Sequence, residues 1–408
     1  MKTKIILYLF YSVLAFHSSN TLYVTAFGAT GNGITDDTNA INTALAAAAS
    51  QQKTLVFPAG TYLCNKVDGS GNILSFAAGG LTSPAIVGQN AIIKTTKDSA
   101  CTQLYIYAFS GCSGLAISGI FFQNTHGKIT GITDAIFMTG TGGQLLTNVY
   151  VQNCRFEGFS QAVAGQGITG WYIQNNTFGA PQGHDNGQQT TDPCVGIWLF
   201  DNSNGVCRSV FIQRNKASGY TGTFPMACKR PLDGFVYGSG YGLHIDHNQT
   251  DYYSEEHFMI NPQTAATDSV TNISNNEINC RLPAGSQNDD NSPHVINYGI
   301  RADVSNAYIG GNNITSYTYG IMFRGIDYPT TTFTNLEYDG NQLYAPTDTV
   351  AYSIQKAITI TGSTGHPVTG IKVHGTTTRF IDAQPIELIN TTGAQSFSNN
   401  FYPFNFIQ

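Results

Sequence analysis

A short unit recurs through the chain: a large apolar residue, two further residues and then asparagine. From residue 173 onward there are six copies, and their asparagines lie 28 to 39 residues apart. The copies are Ile173–Asn176, Ile212–Asn215, Ile245–Asn248, Ile273–Asn276, Ile309–Asn312 and Tyr338–Asn341. An earlier copy, Val151–Cys154, has cysteine in place of asparagine. Repeats of this length predict a stack of similar structural units.

A second unit, glycine followed by an apolar strand, stands between these copies. Examples are 196–198, 234–236, 299–301 and 320–322. Each period therefore holds at least two short strands, joined by turns of variable length. A leucine-rich repeat needs a leucine lattice of fixed length, and a propeller needs longer blades. The uneven period instead favours a parallel β-helix.

The repeated asparagine has a physical reason in such a fold. Asparagine tolerates the left-handed backbone conformation of a sharp bend, and asparagines stacked coil upon coil can hydrogen-bond as a ladder. Alternation along the unit predicts that Ile173 points inward while Tyr172 and Gln174 point outward. We therefore predict an all-β fold, a single-stranded parallel β-helix of roughly nine or ten coils.

The composition excludes several other classes of protein. Only 11% of the residues are charged, against about 25% in an average soluble domain. Coiled coils and helix bundles need more Glu, Lys, Leu and Ala, and the 12% aromatic residues argue against disorder. The net charge is −6 without a run of like charges, so nucleic acids and anionic membranes are poor partners.

The first twenty residues differ from the rest of the chain. Lys2 and Lys4 precede an apolar run over 5–16, and small polar residues follow it. This pattern predicts a secretory signal peptide at 1–20, a single β-helix domain at 21–408 and a secreted protein. No later stretch is long and apolar enough to predict a transmembrane helix.

The eight cysteines fit an oxidising destination and predict disulfide bonds. Cys101 and Cys112 are spaced to close a short loop. Cys194, Cys207, Cys228 and Cys280 are candidates to staple longer turns. Their connectivity stays open at this point, and free thiols in the core are the alternative. The chain has no Cys-x-x-Cys pair, so a zinc ribbon is not predicted.

The terminal strands of a β-helix expose unpaired N–H and C=O groups, so a cover is expected at its end. Residues 36–50 predict a covering helix, with Asp36 or Asp37 as its N-cap. Its apolar positions follow a three–four spacing at Ala40, Ile41, Ala44, Leu45 and Ala48.

Around this helix the sequence resembles a known family. The segment 26–37, the helix and then the segment 57–62 are similar to the N-terminal signature of right-handed parallel β-helix enzymes that act on polysaccharides. This pectate-lyase-like superfamily includes polygalacturonase-type glycosidases, alginate epimerases and phage tailspikes. The resemblance implies a right-handed β-helix with an N-terminal capping helix. It also implies that the strand before each asparagine-containing strand lines the substrate groove.

Three acids stand at corresponding places on two successive groove strands. Asp233 precedes one strand, and Glu255 and Glu256 begin the next. Stacked strands lie about 4.8 Å apart, so these acids are expected to meet. Glycoside hydrolysis uses such a group, because one carboxylic acid protonates the leaving oxygen and another carboxylate activates water.

By resemblance to the polygalacturonases, Asp233 matches the aspartate of their Asn-Thr-Asp motif, and Glu255 and Glu256 match their Asp-Asp pair. Inverting hydrolysis is then implied. Leu232 replaces the threonine, and the Gly-His-Gly and Arg-Ile-Lys motifs are absent. His257 follows the glutamates and is a candidate base beside them.

Other side chains of the same sheet are candidates for substrate binding. Aromatic faces suit sugar rings, and arginine binds a carboxylate or sulfate in two-pronged fashion. An ion-pair ladder is the alternative reading of the charged members. The candidates are Trp198, Phe200, Tyr237, Arg301, Asp303 and Arg324. The run His244–His247 does not predict a metal site, because its side chains alternate between the two faces of a strand.

Three functions remain open from the sequence. The leading hypothesis is a secreted glycoside hydrolase that cleaves an extracellular polysaccharide, including one that contains uronic acids. The first alternative is a polysaccharide lyase or epimerase acting on uronic acids, for which Lys229, Arg230, His257, Tyr237, Arg301 and Arg324 supply bases and cations. The second is a non-catalytic β-helix adhesin or structural protein. We expect no cofactor or metal, a polysaccharide partner, and a monomer or a β-helix trimer.

Overall fold

The structure is a computed structural model. It describes residues 20–79, 81–82, 85–97, 101–108, 111–126, 133–140, 146–179, 195–202, 205–218, 234–253, 256–261, 269–281, 298–315, 319–344, 356–380, 386–393, 395–397 and 399–403. The predicted signal peptide lies outside the described residues except for its last residue.

The chain winds as a stack of three-faced coils. One coil consists of Val195–Leu199 on the first face, Gly205–Gln213 on the second and Lys216–Ser218 on the third. Each strand pairs in parallel with its counterpart one coil away, as Trp198 does with Tyr237. The predicted all-β parallel β-helix is confirmed.

The first face is a separate sheet, here called the first sheet. It has eleven strands among the described residues, so the stack is longer than the nine or ten coils predicted. The strands are Asn72–Ala78, Cys101–Ala108, Thr133–Gly140, Gln161–Gln166, Val195–Leu199, Gly234–Gly238, Glu256–Ile260, Tyr298–Ala302, Tyr319–Arg324, Lys356–Thr361 and Ile386–Ile389.

The other two faces, here called the second and third faces, form one continuous network of strands bent at the corner between them. Two long strands, Ala85–Thr95 and Ala116–Asn124, run across this corner. The second face also has Thr21–Tyr23, Thr54–Phe57, Leu81–Thr82, Cys112–Ser113, Leu146–Gln152, Ile168–Gln174, Gly205–Gln213, Gly240–Asp246, Thr271–Ser274, Ala307–Gly310, Thr334–Asp339, Val368–His374, Thr391–Thr392 and Gln395–Phe397.

The third face consists mainly of short strands. They are Asn32–Asp36, Gly60–Leu63, Arg155–Glu157, Thr177–Phe178, Lys216–Ser218, Gln249–Tyr253, Glu277–Arg281, Asn313–Thr315, Gln342–Tyr344, Thr377–Phe380 and Asn400–Pro403. A short strand, Asp201–Asn202, pairs antiparallel with the start of Gly205–Gln213.

The repeated asparagines occupy the corner between the second and third faces. There they form the predicted ladder, and each is at most 1% exposed. The amide of Asn276 donates to Asn312 Oδ1 and to the Ile245 carbonyl, both at 2.9 Å. Its Oδ1 accepts from the backbone N–H and side-chain amide of Asn248 at 2.9 and 3.0 Å. The ladder therefore links consecutive coils through both backbone and side chain.

The left-handed residue of this corner is the one before the ladder asparagine, not the asparagine itself. It is Asn175 with φ 56°, Arg214 with φ 54° and His247 with φ 54°. The side-chain amide, rather than tolerance of a strained backbone, is therefore the reason for the repeated asparagine.

The inside of the coils is filled by columns of apolar side chains. Ile173, Ile212 and Ile245 stand opposite one another and are fully buried, as the alternation predicted. Cysteines occupy such columns too: all six described cysteines are at most 5% exposed, and no disulfide joins any two of them. The Cys101–Cys112 pairing that the spacing allowed is not formed, and both residues are buried as small apolar groups, the free core thiols that were the alternative. Cys194 and Cys228 lie outside the described residues.

A helix, Thr38–Gln51, covers the first coil. It buries Ile41, Ala44, Leu45 and Ala48, close to the predicted apolar face. Its Asn42 pairs with the edge strand of the first sheet, donating to the Ile73 carbonyl and accepting from the Ser75 N–H, both at 2.9 Å. The predicted capping helix is confirmed, and its polar face satisfies edge groups as well.

The two aspartates before the helix accept hydrogen bonds from different segments of the chain. Asp36 Oδ1 accepts from the N–H of Thr38 at 3.0 Å. Asp37, which is 1% exposed, accepts instead from the N–H groups of Thr30 and Gly31 at 2.7 and 3.0 Å. The Gly-Asn-Gly loop is thereby fixed against the helix start. Within the described part of the chain, no helix is long and apolar enough to cross a membrane.

Candidate functional site

The outer face of the first sheet brings the predicted binding residues together. Along one row of this face, Trp198 pairs with Tyr237, Tyr237 with Met259 and Met259 with Arg301. The inward neighbours Ile197, Val236 and Ile300 are fully buried, so the row residues face outward.

An aromatic strip occupies the N-terminal half of this face. Trp198 stacks on Phe200 with ring centroids 3.7 Å apart and 24° between planes, and Tyr237 meets Trp198 edge-on at 6.4 Å. All members are half-buried, so each keeps part of its ring exposed. The strip consists of Tyr105, Phe137, Trp198, Phe200 and Tyr237.

An ionic cluster of four residues, Arg301, Asp303, Arg324 and Asp327, follows on the same face. Arg301 Nε donates to Asp303 Oδ2 and its Nη2 donates to Asp327 Oδ2, both at 2.9 Å. Arg324 Nη2 lies 3.0 Å from Asp327 Oδ1, and the Arg324 N–H donates to Asp303 Oδ1 at 2.7 Å. The ion-pair reading is therefore correct for Arg301.

The four side chains of the ionic cluster differ in how much of each is exposed to solvent. The side chains of Arg301 and Asp303 are 9% and 0% exposed, whereas those of Arg324 and Asp327 are 35% and 32% exposed. Arg301 and Asp303 thus form the base of the cluster. The guanidinium of Arg324 and the carboxylate of Asp327 are the groups that a ligand can reach.

Burial controls the proton affinities beneath this surface. It raises the pKa of Asp303, and the neighbouring Arg301 guanidinium partly offsets that effect. Burial raises the pKa of Tyr328 to about 12, with the Asp303 carboxylate as the next cause. Tyr328 is therefore a neutral hydroxyl group at the side of the cluster near pH 7.

Sequence reasoning missed Asp327 and Tyr328. Both follow the strand Tyr319–Arg324 through a single 3₁₀ turn, Gly325–Asp327. Among the described strands of the first sheet, only this one is followed by a 3₁₀ turn, so the turn belongs to no repeated unit. The sequence signal that could have indicated Asp327 is its position just after the strand that ends with the candidate Arg324.

The structure brings the strands of the predicted catalytic acids side by side. Gly234–Gly238 pairs with Glu256–Ile260, with Val236 opposite Phe258. Asp233 and Glu255 lie outside the described residues, and of Glu256 only the backbone is described. The catalytic role of these three acids stays a prediction.

His257 does not belong to this surface. It is 0% exposed, and its Nδ1 lies 3.0 Å from the Thr250 hydroxyl inside the coil. Burial lowers its pKa to about 3. The predicted role as a base is therefore corrected: a polysaccharide on the outer face cannot reach this imidazole.

The run around Ile245 likewise serves packing. Ile245 is buried, His244 stacks on Phe211 with centroids 4.8 Å apart, and Asp246 accepts from Gln213 at 2.9 Å. Each polar side chain of this run is thus engaged on the second face.

Comparison with known proteins agrees with the architecture. Residues 22–67 match the family described as rhamnogalacturonase A/epimerase, pectate lyase-like. This segment contains the helix and the Asp37-bound loop, and it is the segment whose resemblance the sequence indicated. No curated protein matches the chain by sequence.

Solved structures with the same fold differ widely in sequence and in the activity their titles give. An exopolygalacturonase from Thermotoga maritima is 12% identical to this chain, with a TM-score of 0.55. The match covers 93% of this chain and 91% of the exopolygalacturonase. The Streptococcus pneumoniae surface adhesin PfbA has 11% identity, coverage of 94% and 90%, and a TM-score of 0.56. The tailspike of E. coli bacteriophage HK620, in complex with a pentasaccharide, has 10% identity, coverage of 95% and 66%, and a TM-score of 0.53. At such identities the likeness concerns the fold. The chain is therefore a parallel β-helix protein whose N-terminal segment is similar to the rhamnogalacturonase A/epimerase, pectate lyase-like family.

Proposed function

We propose that the protein is a secreted glycoside hydrolase that binds a polysaccharide along the outer face of the first sheet and cleaves it there. The observation that carries this proposal is the order in which neighbouring strands of that sheet present their outward-facing residues. Five consecutive strands bear, in order, Trp198, Tyr237, Met259, Arg301 and Arg324. The aromatic strip and the ionic cluster are thus continuous along one surface.

The two strands that adjoin the predicted acids lie where the aromatic strip ends and before the ionic cluster begins. Asp233 immediately precedes the strand of Tyr237, and Glu256 begins the strand of Met259. A polysaccharide that stacks on the aromatic strip and reaches the ionic cluster must cross these two strands. That position suits carboxyl groups that act on a bond in the middle of the bound segment.

The exposed groups favour a substrate with acidic sugars. Aromatic faces with a few placed polar groups are typical of ligand sites. Arg324 keeps part of its guanidinium exposed, and guanidinium binds carboxylates with two parallel hydrogen bonds. A polysaccharide that contains uronic acids fits both parts. The exopolygalacturonase and the tailspike–pentasaccharide complex support a polysaccharide ligand for this fold.

Digestion of a panel of neutral and uronic-acid-containing polysaccharides tests the proposal. We expect new reducing ends from an acidic polysaccharide without the ultraviolet absorbance of an unsaturated product. An absorbance increase would instead establish a lyase, and a change of sugar configuration without chain cleavage would establish an epimerase. Binding without any product would favour an adhesin. Any of these three results would contradict hydrolysis.

A further inference from the structure

A second concave surface lies on the third face, away from the first sheet. It is a groove of about 280 Å³, formed by Gln249–Tyr253, Glu277–Arg281 and Asn313–Thr315. Thr250 and Ile278 form its buried floor. Six polar side chains line it: Gln249, Asp251, Glu277, Asn279, Asn313 and Thr315. We call this surface the third-face groove.

The six polar side chains form two rows along the axis of the helix. In the first row Gln249 stands opposite Glu277, and Glu277 opposite Asn313. Gln249 Nε2 donates to Glu277 Oε2 at 2.9 Å. The first row therefore presents an amide or a carboxylate group on each of three consecutive coils.

The second row is arranged in the same way. Asn279 Nδ2 donates to Asp251 Oδ1, and Asn279 Oδ1 accepts from the Thr315 hydroxyl, both at 3.0 Å. These bonds hold the side chains in defined orientations. A primary amide has two donor hydrogens and a carboxylate about four acceptor positions, so the rows retain capacity toward a ligand.

The spacing of the rows suits a linear chain of sugars. Neighbouring coils lie about 4.8 Å apart, which is close to the length of one pyranose unit in an extended glycan. Successive coils thus present equivalent groups to successive sugar hydroxyls. Preoriented side chains also reduce the entropy lost when a ligand binds.

The charge of the groove selects among glycans. At the centre of the groove Asp251 and Glu277 are acidic, and none of the eight described lining residues is basic, while Lys216 stands opposite Gln249 at its edge. Uronic acids would be repelled there, whereas uncharged sugars and amino sugars would be accepted. This preference is opposite to that of the exposed Arg324 in the ionic cluster.

We propose that the third-face groove is a second glycan-binding site, specific for uncharged or amino sugars. It goes beyond the hydrolase function and requires no catalysis. Its residues would hold a second type of glycan while the first sheet acts on its substrate.

The test measures binding of labelled hexasaccharides of glucose, xylose, glucosamine and galacturonate to the full chain. The groove variant is the double substitution Gln249→Ala and Asn279→Ala. Gln174→Ala is the matched control, because Gln174 Nε2 donates to Gln213 Oε1 on the second face in the same coil-to-coil manner. Arg324→Ala separates this site from the first sheet.

We expect an uncharged or amino hexasaccharide to bind, and its affinity to fall about tenfold in the groove variant as two hydrogen bonds are lost. Gln174→Ala and Arg324→Ala should retain that binding, and the result holds even if no polysaccharide is hydrolysed. The proposal is overturned if no such hexasaccharide binds, if only galacturonate binds, if the groove variant binds normally, or if the control loses binding equally.

Discussion

Two regions of each coil differ in how they use their residues. At the corner between the second and third faces, the same asparagine recurs in six coils and makes the same bonds to its neighbours. On the outer face of the first sheet, equivalent positions hold tryptophan, tyrosine, methionine and arginine. Repetition marks the corner that stacks the coils, and variation marks the face proposed to bind substrate.

The difference follows from what each region must satisfy. A buried corner has the same unpaired backbone groups in every coil, so the same amide satisfies them each time. An outer face has no such constraint, because its backbone groups are already paired within the sheet. Side chains there are free to differ from coil to coil and to form one site.

The largest expected effect of substitution on the variable face concerns the predicted acids. Asp233→Asn and Glu256→Gln should each lower kcat by at least about 10²-fold, the lower end of general acid–base contributions. Glu337→Gln, on the second face, is the matched control and should keep normal turnover. Steady-state kinetics on a cleaved polysaccharide measures this, and near-normal rates for both variants would place catalysis elsewhere.

On the repeated corner the expected effect is loss of stability. Asn276→Leu removes an amide that bonds to Asn248, Ile245 and Asn312. It should lower the free energy of unfolding by about 1–3 kcal/mol, because buried backbone groups lose their partners. Asn279→Leu, half-buried on the third face, should cost no more than about 0.5 kcal/mol. Equal denaturant midpoints for the two variants would refute the ladder's role.

The sequence predicted the repeated parts of the structure better than the parts that vary from coil to coil. The ladder, the capping helix and the order of strands came from repeated or local patterns. The Arg324–Asp327 contact did not, because its turn follows only one of the described first-sheet strands. The choice between a bridge and a free thiol at Cys101 stayed open, because sequence spacing does not show which way a thiol points.

His257 was misplaced for a related reason. Strict alternation places it on the face of Met259, yet first-sheet strands bury two consecutive residues where they begin. Phe235 and Val236 are both fully buried, as are His257 and Phe258. Both residues of each pair are therefore inaccessible from the outer face, which a period of two does not predict.

The buried His257 yields a pH-dependent prediction. Its folded-state pKa of about 3 lies below the ordinary value of about 6.5, so the unfolded chain takes up the proton first as pH falls. Its contribution to stability is complete above pH 6.5 and is lost between about pH 6.5 and 3, at about 1.4 kcal/mol per pH unit. His257→Gln should lack this slope in denaturant unfolding. Parallel pH profiles for both proteins would show that another group titrates.

A smaller effect is expected at the exposed end of the ionic cluster. Arg324→Gln should raise KM for an acidic polysaccharide about tenfold while kcat changes little, because one charge-assisted contact with bound substrate is lost. Arg208→Gln is the matched control, since Arg208 lies over the Tyr241 ring on the second face. An unchanged KM in the Arg324 variant would leave the cluster with a purely structural role.

The most direct test of the proposed substrate face is a crystal structure of the Glu256→Gln variant with an oligosaccharide of the polysaccharide that the wild type cleaves. The account predicts sugar rings on the outer face of the first sheet, stacked on Trp198 and extending to Arg324. Sugar bound only on the second or third face would contradict it.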